Sequence, residues 1–63
     1  MTRKDYVLIA EVIKGAIDYE TEFNNSPANA EALKKLSITL GSKLWLDNPR
    51  FDRARFLDAC GVK

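Results

Sequence analysis

Along the first third of the chain, apolar residues recur every three or four positions. With successive residues placed about 100° apart, Tyr6, Ile9, Ala10, Val12, Ile13, Ala16, Ile17 and Phe23 fall on one continuous arc, with Leu8 and Tyr19 at its edge. Glu11, Lys14, Asp18 and Glu22 occupy the other side. This pattern predicts a helix from about Arg3 to Phe23, with Val7 exposed and Glu20 reaching out from near the edge of the arc. The arc is roughly 200° wide, twice what a surface helix needs. Such a helix must be covered by two neighbours or by a second chain. Gly15 costs about 1 kcal/mol against alanine in a helix interior and falls on the polar side.

The second segment has a clear beginning. Ser26 is a good N-cap, and Pro27 suits the first helical position, where its missing N–H costs nothing. Ala30, Leu33, Leu36, Ser37, Leu40 and Leu44 form a stripe, and the pattern runs to about Leu46. Leu36, Leu40 and Leu44 keep the i, i+4 phase across Gly41, which predicts one unbroken helix. Ile38 and Trp45 point away from this stripe, with Gly41 between them on the same side.

Asp47-Asn48-Pro49 stops the second helix, because a residue before proline avoids the α region. Asp52 is the predicted N-cap of a short third helix; a start at Asn48, with Pro49 as first helical residue, is the alternative. Phe51 before the cap and Phe56 beyond it have the spacing of a hydrophobic staple. Gly61 fits the C′ position that ends a helix. Phe56, Leu57 and Cys60 are predicted to face inward, Arg55 and Asp58 outward. The fold class is therefore all-α: a helical hairpin plus a short C-terminal helix, in one domain spanning residues 1–63.

Size sharpens this picture. A chain of 63 residues and 7.1 kDa has room for one core, with an expected folded surface of roughly 4,100 Å². A second domain or a large substrate cleft does not fit. Histidine is absent and Cys60 is the single cysteine, which excludes a disulfide framework, a Cys/His zinc site and a histidine-based triad. The longest apolar run, Tyr6 to Ala10, is too short to span a bilayer, and the N-terminus does not read as a signal peptide.

The ending Asn48-Pro49-Arg50-Phe51-Asp52-Arg53-Ala54-Arg55-Phe56-Leu57-Asp58-Ala59-Cys60-Gly61, with Asp5-Tyr6-Val7-Leu8-Ile9-Ala10 near the start, resembles a group of small proteins encoded by bacteriophages, actinobacterial phages among them. Members of that group end in an "NPRFDRxRFLxACG"-like tail and begin with a "YxxIA"-like helix. The resemblance implies an accessory phage gene expressed in the cytoplasm of a bacterial host, of the kind that acts on host proteins or host defences. It supplies no active site.

Candidate chemistry is sparse. Cys60 lacks a histidine base and lies on the inward side of its helix, so it reads as a core thiol. Pairs of carboxylates such as Asp18 and Glu22 read as a solvated helix face, with no calcium-loop spacing. No cofactor, metal site or enzymatic activity is expected. Charge is uneven: residues 1–31 carry a net −3 and residues 32–63 a net +4. The basic half, with Lys43, Arg50, Arg53 and Arg55, suits an acidic protein surface or nucleic acid. The plain alternative is that Arg55 pairs with Asp58, and that Arg50 or Arg53 pairs with the acidic first helix. Trp45 and Ile38 are either covered by Phe51 and Phe56 or left as a seam for a partner or a second copy.

The expectation is thus a non-enzymatic protein that binds a host or phage protein and self-associates. Its candidate contact residues are Ile38, Lys43, Trp45, Arg50, Arg53 and Arg55; Phe51, Asp52, Phe56 and Cys60 are structural. The alternative is a small nucleic-acid-binding module using the basic half.

Overall fold

In the computed structural model, which describes residues 2–62, the chain forms α1 (Arg3–Glu22), α2 (Pro27–Asp47) and α3 (Arg53–Ala59). Met1 and Lys63, the latter counted in the basic half, lie outside the described residues. Helix α1 opens at Thr2, whose backbone N–H donates to Asp5 Oδ2 at 2.8 Å and whose hydroxyl lies 3.2 Å from the same oxygen. These bonds favour the charged carboxylate and lower the Asp5 pKa from its ordinary value. The cap therefore stabilises α1 at neutral pH and is lost as pH falls through that lowered value.

Phe23 is the C-cap of α1, and Asn25 takes a left-handed φ of 50° in the turn that follows. Glu20 spans this turn from the side, as its Oε2 accepts from Asn24 Nδ2 at 2.7 Å and Asn29 Nδ2 at 3.3 Å. Ser26 Oγ accepts from the Asn29 N–H at 3.3 Å, and Pro27 opens α2 as expected. α2 continues through Gly41 without a break.

The connection to α3 is built from two bonds at Asn48. Its carbonyl accepts from the Phe51 N–H at 2.9 Å, and its Oδ1 accepts from the Arg50 N–H at 3.2 Å. This Asx-type turn leaves Asp52 to cap α3, its Oδ1 accepting from the Arg55 N–H at 3.0 Å. The earlier start at Asn48 is not adopted. α3 closes in a Schellman motif: the Gly61 N–H donates to the Asp58 carbonyl and the Val62 N–H to the Leu57 carbonyl. Gly61 holds a φ of +83°, a conformation open to glycine and strained for other residues. Val62 is thereby folded back into the core.

The core is Ala10, Ile17, Ala30, Phe51, Phe56, Cys60 and Val62, with Ser37 the one buried polar residue among the described residues. Ser37 Oγ donates to the Leu33 carbonyl at 2.8 Å, so its hydroxyl is satisfied. Phe51 packs on Tyr6, ring centroids 4.6 Å apart, and on Phe56 at 5.4 Å. The predicted staple is in place. Gly41 lies beneath α3: a Cβ built there would sit 3.5 Å from Phe56 Cδ2 and 3.7 Å from Leu57 Cδ2. A methyl group there would meet α3 at ordinary van der Waals distance.

Two expectations about burial are corrected. Val12 and Phe23 were placed on the inward arc of α1, and Leu36 on the inward stripe of α2; all three are exposed. Helix α3 has only seven residues, about 10 Å at 1.5 Å per residue against about 30 Å for α1. It covers one flank of the hairpin and leaves the other open. Gly15 has nothing within 4 Å of an added Cβ. Gly15→Ala should therefore stabilise the chain by about 1 kcal/mol, raising the melting temperature by roughly 4–8 °C, as thermal circular dichroism would show.

Candidate functional site

The basic and aromatic residues singled out in the sequence do not converge on one place. Trp45 and Arg53 meet on one flank, with the Arg53 guanidinium 5.1 Å from the centre of the indole ring. Ile38, two helical turns before Trp45, shares that flank. Both remain partly exposed: Phe56 packs over Gly41, and neither it nor Phe51 buries them. Lys43 is two positions from Trp45, about 160° round the helix, and points away from this group.

Arg50 and Arg55 lie elsewhere, on a cleft of about 550 Å³ between the first turns of α1 and the α2–α3 connection. Tyr6, Phe51 and Phe56 contribute its apolar wall, and Arg3 joins the two arginines at the rim. Asp52 is the carboxylate that lines it, with one oxygen engaged in capping α3. Sequence reasoning missed Arg3, because only the tertiary packing of Tyr6 on Phe51 brings the start of α1 to the end of α2.

The pairing expected for the arginines is not made. Among the described residues the one ion pair within 4 Å joins Lys14 to Asp18 at 2.9 Å along α1. Arg55 does not pair with Asp58, and neither Arg50 nor Arg53 reaches an α1 carboxylate. The guanidinium groups on the cleft are thus free of carboxylate partners within the described chain.

A second surface is the open flank of the hairpin. The α1 residues turned toward the C-terminal segment are Tyr6, on Phe51, Ala10, which lines the cleft with Phe56 and Ala59, and Lys14, beside Gly61. Leu8 and Val12 each lie two positions from one of these, about 160° away round the helix. Leu36 lies about 140° from Gly41, the α2 residue beneath α3. Leu8, Val12, Tyr19, Phe23 and Leu36 are between 58% and 78% exposed. Tyr19 and Phe23 stack on one another at 5.9 Å with an interplanar angle of 26°. By helical phase the half-buried Ile9, Ile13, Leu33 and Leu40 continue this strip toward the core.

Cys60 is fully buried. Burial raises its thiol pKa above the ordinary value, opposed in part by the neighbouring Ser37 hydroxyl. The thiolate is the nucleophilic form, so this position suits packing and not attack. Among the described residues no group of three Asp, Glu, Cys or His side chains is placed to hold a metal ion. Among the described residues no helix is long and apolar enough to cross a membrane. No protein-family model, curated protein or solved structure matches the chain.

Proposed function

We propose that this chain is a non-enzymatic accessory protein that acts by binding other proteins, with the open flank of the α1–α2 hairpin as its main contact surface. The carrying observation is that strip of exposed large apolar residues, from Leu8 through Val12 to Tyr19 and Phe23, joined by Leu36. Contiguous apolar area of this kind marks interaction sites. The accessible surface of 4747 Å² exceeds the roughly 4,100 Å² expected for a globule of this mass.

The simplest occupant is a second copy. Two hairpins placed flank to flank by a two-fold axis make a four-helix arrangement and close without forming filaments. A host or phage protein would use the same strip, and the resemblance to small phage proteins supplies that setting, a bacterial cytoplasm. The nucleic-acid alternative has less support: Lys43, Arg53 and the pair Arg50–Arg55 point in different directions, and Phe51 is too buried to stack on a base.

Light scattering at tens of micromolar tests the reading. The expected mass is twice the 7.1 kDa of the chain, falling to the monomer value in Val12→Glu/Leu36→Glu with helical circular dichroism retained. A wild-type mass that stays at the monomer value at every concentration removes the dimer.

A further inference from the structure

We propose that the cleft at the α1–α3 junction is a separate binding site for a short acidic peptide segment, one that pairs carboxylates with a large apolar side chain. This rests on the reading of the chain as a protein-binding module, but not on its dimer. Three elements supply one cationic side chain each: Arg3 from the start of α1, Arg50 from the Asn48 turn and Arg55 from α3. A single carboxylate, Asp52, stands among them, and the cap of α3 already occupies one of its oxygens. The cleft is therefore net positive, while the whole chain carries only +1. Guanidinium groups present paired donors that match a carboxylate in bidentate fashion.

Besides the arginines, the lining holds Tyr6 and the exposed Val7, with the nearly buried Phe51 and Phe56 behind them. The cleft's volume of about 550 Å³ lies within the ~300–1,000 Å³ usual for ligand sites. The arrangement is also held in place. Arg50 is fixed at its backbone by Asn48 Oδ1, and the Arg55 N–H is bound to Asp52. The Tyr6–Phe51 contact ties the α1 side of the cleft to the other.

The same geometry argues against a nucleic-acid strand. Phosphates along a strand need a continuous basic track and open ring faces. Here three arginines from separate elements line one cleft, and Phe51 is 8% exposed, its ring set at 57° against Tyr6. An acidic peptide needs neither feature. Its carboxylates meet the arginine rim, and its apolar side chain enters the cleft between them.

Display of random dodecapeptides against the immobilised wild-type chain is the test. Selected sequences should combine Asp or Glu with Leu, Phe or Trp. The strongest, made synthetically, should bind Arg50→Glu/Arg55→Glu at least tenfold more weakly than wild type. It should bind the charge-matched Lys34→Glu/Lys35→Glu, altered away from the cleft, within about twofold of wild type. Circular dichroism confirms that both variants remain helical, and unchanged light scattering separates the cleft from the hairpin flank. The proposal fails if no acidic sequence is enriched, if the arginine variant binds the peptide as well as wild type, or if a single-stranded oligonucleotide displaces the peptide at lower concentration.

Discussion

Phe56→Ala is expected to leave the chain largely unfolded at 25 °C. Phe56 is 3% exposed and is one of the few large side chains in a core otherwise rich in alanine, cysteine and valine. Its ring packs on Phe51, which packs in turn on Tyr6. Removing a buried phenylalanine costs about 3–5 kcal/mol, and a core of this size supplies only about 3–5 kcal/mol in all. Far-UV circular dichroism should therefore lose its cooperative melting transition. Phe23→Ala is the matched control: Phe23 is 78% exposed, so its loss should change stability by no more than about 0.5 kcal/mol. A Phe56→Ala melting temperature close to wild type would show that the staple does not hold α3.

The second large effect concerns Cys60. Its sulfur has no exposed surface, so a thiol reagent reaches it only when α3 lifts away or the chain unfolds. Protection then equals the cost of opening. With about 3–5 kcal/mol available, labelling in native buffer should run about 10²- to 10⁴-fold slower than in denaturant. In Phe56→Ala the protection should vanish. The raised thiol pKa adds a direction with pH. Above the ordinary thiol value of 9.0 the unfolded chain loses its proton before the folded one. The contribution to stability is complete below that pH and declines as pH rises through and beyond it. Equal labelling rates in native buffer and denaturant would place the thiol at the surface.

Much of this fold is legible from local chemistry. Ser26 and Pro27, Asp52, and Gly61 each mark a helix boundary through a bond made within a few residues, and all three boundaries stand where those residues put them. The inward positions of Phe56 and Cys60 follow from helical phase alone. Phase does not reveal which neighbour covers an arc as wide as that of α1. Val12 and Ile13 are consecutive apolar residues of similar size, yet the first is exposed and the second half-buried. The difference comes from the shortness and placement of α3, which are tertiary facts. Val62 was missed although its signal was present: a glycine at C′ commonly brings the next residue back against the last turn. Arg3 carried no such signal, since nothing local links it to Arg50 and Arg55.

The contact between Arg53 and Trp45 gives the molecule a built-in optical reporter. Trp45 is the only tryptophan, it belongs to α2, and the cation over its ring is carried by α3. Indole emission responds to a nearby charge and to hydration, so detachment of α3 should alter its intensity and wavelength even while the hairpin stays helical. Far-UV ellipticity, dominated by the two long helices, would barely register that event. Emission and ellipticity followed together through a denaturant titration should thus separate undocking of the last helix from melting of the hairpin.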